Sequence, residues 1–254
     1  FPRGFEGTQL LPNGRRTVAL EPDYIGKIAD YNQRNATEVA DTIPDEKLDR
    51  LAARCREFGI SNQTFNEVKA LLLADTPAAR ALRVLHYAKS AKRQNPYEPA
   101  FLEFAAQVAS GYAVTSLPAS GTRAFYPHAG VIMPARQRPK ASRAKSFDFS
   151  VEGDTGRLLI AHKYTEDEGG AQDNQYHDLL QIADQCRGLH GDTAVILIAD
   201  GPYYTRNHSR ENPVPRLEVL SKTIAGETHV ASGTGRDFPS LFHRFQRLLD
   251  EGGA

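Results

Sequence analysis

Two extended segments, Ser146-Phe-Asp-Phe-Ser-Val-Glu152 and Arg157-Leu-Leu-Ile-Ala-His-Lys-Tyr164, constrain the fold of this chain more than any other stretch. Between them lies Gly153-Asp-Thr-Gly156, whose turn-forming residues predict a β-hairpin. Successive strand residues point to opposite faces, so Asp148 shares a face with Ser146, Ser150 and Glu152, while Phe147, Phe149 and Val151 face the other way. On the second strand Leu159, Ala161 and Lys163 share one face, and His162 points away from Lys163. The hairpin therefore predicts that the Asp148 carboxylate and the Lys163 ammonium meet.

Around this hairpin the chain changes character near residue 130. The first part, residues 1–130, reads as mainly helical. Pro44-Asp-Glu opens a helix whose stripe is Leu48, Leu51, Ala52 and Cys55, with Gly59 ending it. A second helix begins near Ser61 and is expected to turn Phe65, Val68, Leu71 and Leu72 inward. A third follows Thr76-Pro77 and carries Leu82, Leu85 and Ala88. Residues 131–254 alternate strand, strand, helix, strand, helix, strand, helix. After the hairpin come a helix near 172–187, a strand at 193–199, a helix near 216–225, a short strand at 228–232 and a helix near 238–249. This order predicts an α/β class, a mixed sheet flanked by helices behind a helical N-terminal region.

The composition bounds the function classes. With 31 basic and 31 acidic residues, the chain lacks the excess of one sign expected of a general polyanion coat. Cys55 and Cys186 are too few and too isolated for a disulfide framework or a zinc site, and a reducing cytoplasm is expected. No long apolar run predicts a membrane span, and no signal peptide is evident. The eight histidines have no metal-ligand spacing. Gly233-Thr-Gly235 lacks the third glycine of a dinucleotide fingerprint, and neither Ser120 nor Ser232 has a nucleophile-elbow context.

Asp148 on one strand and Lys163 near the end of the next resemble the PD-(D/E)xK nuclease superfamily, and more narrowly type II restriction endonucleases. Further likeness lies in Tyr164-Thr165 followed by Gly169-Gly170-Ala171-Gln172-Asp173-Asn174-Gln175, and in the buried strand Val195–Ala199 ending in Asp200-Gly-Pro-Tyr203. The resemblance implies an αβββαβ core, a Mg2+ cofactor and a duplex DNA substrate. It also implies a homodimer that matches a palindromic site, in the cytoplasm of a prokaryotic cell. Asp148 takes the place of the first acid and Lys163 that of the lysine. Position 161, where the second metal-binding acid is expected, holds alanine. An alanine there reads as a carboxylate removed to hold a nuclease on uncut DNA. A naturally inactive, DNA-binding relative is another reading, as is migration of the acid to Glu166, Asp167, Glu168 or Asp173. Glu152 lies ~13 Å along the strand from Asp148, too far to share a metal ion.

In the resemblance, Asp148 and an acid at 161 hold magnesium while Lys163 orients water or stabilises charge in the transition state. Arg136, Arg138, Lys140, Arg143 and Lys145 lead into the catalytic strand and are candidates for phosphate contact. Gln172 and Asn174, beside the glycine pair, are polar candidates for DNA contact. So are Tyr203, Arg206 and Arg210 after Asp200, although a solvated charged loop accounts equally well for the last two. Cys55 to Phe65 also resembles a helix-turn-helix, with Asn62, Gln63, Asn66 and Lys69 opening a recognition helix, but ordinary helical hairpins share that pattern.

Overall fold

The computed structural model describes residues 9–10, 17–18, 21–89, 95–139, 144–166, 170–207 and 213–251. It is of mixed α/β class and falls into two units, Tyr24–Tyr97 and the remainder of the chain. A two-residue antiparallel ladder, β1 (Gln9–Leu10) with β2 (Thr17–Val18), precedes the first helix.

Local capping chemistry marks out the helical unit. After α1 (Tyr24–Asp41), helix α2 (Asp45–Glu57) begins with Asp45 and Glu46 and ends with Arg54 and Arg56, the charge order that the helix dipole favours. Ser61 accepts the Thr64 amide at 3.2 Å to start α3 (Asn62–Leu73). Thr76 accepts the Ala79 amide at 3.1 Å to start α4 (Pro77–Tyr87), with proline in the first turn where its missing N–H costs nothing.

What binds these helices together is Arg83, a buried residue of α4. Its guanidinium donates to the carbonyl of Ala40 near the end of α1 (Nε, 3.1 Å, and Nη2) and to Leu72 and Ala74 at the end of α3 (2.5 and 3.2 Å). Helix C-termini leave carbonyls unsatisfied and carry partial negative charge, so one cation serves two helix ends. The apolar residues are oriented otherwise than their spacing predicts. Phe65 and Leu72 are half-buried, but Val68, Leu71, Leu82 and Leu85 face solvent, and α3 buries no residue fully.

In the second unit, α5 (Tyr97–Val108) leads to β3 (Ala113–Ser116), then the hairpin β4 (Phe125–His128) and β5 (Val131–Pro134). The expected hairpin follows as β6 (Phe149–Glu152) and β7 (Arg157–Tyr164), with Ser150 opposite Leu159. Helix α6 (Gly170–Gln185) crosses over to β8 (Thr193–Asp200). The chain ends with α7 (Pro202–Thr205), α8 (Arg216–Thr223), β9 (Val230–Gly233) and α9 (Phe238–Glu251). These form a five-stranded sheet in the order β3-β6-β7-β8-β9, antiparallel from β3 to β7 and parallel from β7 to β9.

Both faces of this sheet are covered, which is why β8 reads as a continuous apolar run. Leu159, Ala161, Val195, Leu197 and Ala199 join Leu179 and Ile182 of α6, and Cys186 just beyond it, in one core cluster. On the other face Phe101 of α5 stacks on His162 at 4.6 Å and meets Phe149 and Phe238 at 5.5 and 5.2 Å. The turn at 153–156 abuts α9. A Cβ at Gly153 would lie 2.3 Å from the Leu249 carbonyl, and one at Gly156 would lie 2.4 Å from that of Leu248. Among the described residues no helix is long and apolar enough to cross a membrane.

Replacing Arg83 with methionine keeps the bulk of the side chain but leaves the Ala40, Leu72 and Ala74 carbonyls unpaired. Chemical denaturation of the full chain is expected to show a loss of about 2–4 kcal/mol.

Candidate active site

The hairpin register extends one residue past β6 and sets Asp148 beside Ala161, with the Asp148 amide donating to the Ile160 carbonyl at 2.9 Å. The Asp148 carboxylate then accepts the His162 amide at 2.8 Å and the Lys163 ammonium at 3.1 Å through the same oxygen, Oδ2. Lys163 lies 3.4 Å from Oδ1 as well. The two side chains are 18% and 19% exposed, so water screens this pair far less than an open surface pair while still reaching it. The predicted acid–lysine contact is therefore present where β7 emerges from the core.

Ala161 is fully buried in the apolar cluster beneath that pair. With alanine there, the hairpin supplies one carboxylate, already held by an amide and an ammonium. Among the described residues, no three or more His, Cys, Asp or Glu side chains gather where they could hold a metal ion. This donor set does not fit a magnesium site built on two acids. The other acids weighed from sequence are placed elsewhere or committed to partners. Glu152 is bound to Arg157 at 2.7 and 2.9 Å at the opposite end of the hairpin. Asp173 accepts the Tyr203 hydroxyl. Glu166 is half-buried just beyond β7, and Asp167 and Glu168 lie outside the described residues.

A polar latch holds the exit of β7. The Thr165 amide donates to the Asp200 carbonyl at 2.9 Å, the Thr165 carbonyl accepts the Tyr203 amide at 3.3 Å, and the Thr165 hydroxyl donates to Gln175 at 3.0 Å. Gly201 has φ +97°, and a Cβ there would lie 2.2 Å from the Thr165 carbonyl, so only glycine fits. Beside it the buried Arg216 guanidinium stacks 3.8 Å above the Tyr203 ring and donates to the Tyr203 carbonyl at 3.3 Å. It also lies 3.9 Å from Asp173. Aromatic stacking with a nearby carboxylate offsets the cost of burying this cation. The sequence sets Arg216 at the start of the helix expected near 216–225, and nothing in that spacing shows that the Tyr203 ring covers it.

On the opposite sheet face, the His162 ring lies 3.6 Å from Asp200, whose other carboxylate oxygen accepts the Gly235 amide at 2.7 Å. His162 is a packed residue, as the alternation predicts.

The residues considered for DNA contact are dispersed in their exposure. Arg136, Lys145, Asn174 and Arg206 are exposed. Arg138 is half-buried, stacked 4.3 Å from the Tyr126 ring and donating to the Ala144 carbonyl at 2.9 Å. Tyr203 is 2% exposed, so its ring supports α8 and the start of α6 instead of facing outward. Lys140, Arg143 and Arg210 lie outside the described residues, as does the side chain of Gln172. In the helical unit, Asn62, Gln63 and Asn66 are exposed and Lys69 is half-buried.

Burial raises the proton affinity of the latch. It pushes the Tyr204 phenol up to about 12 from an ordinary 10.0, and the Cys186 thiol likewise up to about 12. Burial, then the hydrogen bond to Asp173, also raises Tyr203. A folded state that holds these protons more tightly keeps their full stabilisation below the ordinary values, 9.0 for the thiol and 10.0 for the phenol, and loses it as the pH climbs toward about 12. Urea unfolding across that window is expected to show falling stability, and Tyr204→Phe should flatten part of the slope. Comparison of the chain with protein families, with characterised proteins and with solved structures finds no match.

Proposed function

We propose that this chain is a type II restriction endonuclease of the PD-(D/E)xK kind whose second acid is replaced by Ala161. The observation that carries the reading is the Asp148–Lys163 contact at 3.1 Å, with Ala161 on the same face beneath it. The order α5, β3, β6, β7, α6, β8, with the separate β4–β5 hairpin inserted after β3, supports it, because an αβββαβ core is what the resemblance implies. Duplex DNA is the proposed substrate. A homodimer on a palindromic site and a prokaryotic cytoplasm belong to the same reading.

Hydrolysis of a phosphodiester needs an activated water and a neutralised leaving oxygen, which bound magnesium would supply once position 161 again carries an acid. The chain's own groups divide the remaining tasks. Asp148 fixes Lys163 through its carboxylate, and the His162 amide fixes Asp148. Lys163 then holds a positive charge at the edge of the core, where it can stabilise a developing anion. Exposed Arg136, Lys145 and Arg206 can contact phosphates without reading sequence. In the present chain these groups support binding, while cleavage lacks its second carboxylate.

A second reading is a naturally inert DNA-binding protein on the same scaffold. It is favoured by the full burial of Ala161 among Leu179, Leu197 and Ala199, where a methyl group packs well. Ala161→Glu separates the two. With plasmid DNA and magnesium, the variant is expected to cleave on the order of 100-fold faster than the parent. Adding Lys163→Met should abolish that gain. Persistent inertness with tight, sequence-selective binding would favour the second reading, and absence of both cleavage and binding would overturn the nuclease-type assignment.

A further inference from the structure

We infer that the cavity between α1, the start of α2 and the segment after α4 binds a small phosphate monoester whose far end carries hydroxyl groups, as in a sugar phosphate. Its volume is about 390 Å3, within the range of small-molecule sites. Arg34, Asn35 and Glu38 of α1 line one side, Glu46 and Lys47 of α2 another, and Lys89 a third. Two hydrogen bonds set these walls. The Asn35 side-chain amide donates to the Lys89 carbonyl at 2.6 Å, and the Lys47 ammonium donates to the Tyr87 carbonyl at the end of α4. Arg34, Glu38, Glu46 and Lys89 are exposed and Lys47 is half-buried, so a solute can enter from water and reach every charge.

Those charges identify the ligand. Three cations face two carboxylates, an excess of one positive charge. Burial, and then the like charge of Lys89, hold the Lys47 ammonium below its ordinary proton affinity, although Glu38 and Glu46 act in the opposite sense. The two carboxylates therefore leave the cations undercompensated, and a bound oxyanion would relieve both the repulsion and the lost hydration. Arginine and lysine together suit phosphate, Arg34 through its planar fork and the lysines as point charges. Glu38 and Glu46 repel such an anion unless they meet the other end of the ligand. A carboxylate accepts hydrogen bonds and donates none, so that end must carry donors, which hydroxyl groups supply.

The inference concerns the helical unit alone and holds whether or not the second unit cuts DNA. Isothermal titration of the full chain with ribose 5-phosphate is expected to show one saturable site with a dissociation constant on the order of 100 µM. Inorganic phosphate should bind about 10-fold more weakly, and ribose alone should give no signal at the same concentration. Lys89→Gln removes an ammonium but keeps the carbonyl that Asn35 holds, and should weaken ribose 5-phosphate about 10-fold. Glu38→Ala should tighten inorganic phosphate and shrink the preference for the sugar ester. Both positions are exposed, so thermal unfolding of the two variants without ligand should match the parent. A parent chain that gives no saturable signal overturns the inference, and so does binding that Lys89→Gln leaves unchanged. Displacement of ribose 5-phosphate by duplex DNA lacking terminal phosphates would also overturn it, by assigning the cavity to a nucleic-acid backbone.

Discussion

Strand β7 is buried on both faces from Leu158 to His162, and that burial governs where chemistry can occur in this sheet. A strand so enclosed exacts a cost for each polar side chain it buries, and His162 is held there between the Phe101 ring and the Asp200 carboxylate, 3.6 Å away. Polar groups that face water must wait until the strand leaves the core. Lys163 is the first such residue, and the neighbouring strand delivers Asp148 to the same point. The His162 amide, bound to the Asp148 carboxylate, ties the packed face of the sheet to the polar one.

Two buried arginines act alike in the two units. Arg83 gathers carbonyls from the ends of α1 and α3, and Arg216 gathers the Tyr203 carbonyl, its ring and the edge of Asp173. In both cases a planar cation with several donors bridges segments that apolar contacts alone would leave free to slide. The helical unit, whose α3 buries no residue fully, depends on such a pin most.

Much of the fold was legible because its signals are local. The turn at 153–156 and the alternation around it announced β6 and β7. Proline, acids and hydroxyl caps announced α2, α3 and α4, and an apolar run before Asp200-Gly201 announced β8. Helix α1, helix α5 and strands β3, β4 and β5 carry no comparably clear local signal. The buried residues Ala100, Phe101, Phe104 and Ala105 mark the inward side of α5, and Pro127 and Pro134 obscure the short strands they occupy. The Asp148–Lys163 contact was legible because strand alternation has a fixed period. The latch around Thr165 was not, since it joins three separate segments. Nor does helical spacing say what covers a stripe: it marked Leu71 and Leu85 as a face but could not say that the chain leaves them open.

The glycine turn against α9 has a further consequence. The Thr155 amide donates to the Leu249 carbonyl at 3.2 Å, so the tip of the hairpin closes the end of the last helix. Pairing between β6 and β7 is thereby anchored from outside the sheet as well as within it. A slip of one residue would send Asp148 to the opposite face, away from Lys163. The C-terminal helix thus acts as a strut, and loosening its final turn would be felt at the other end of the hairpin.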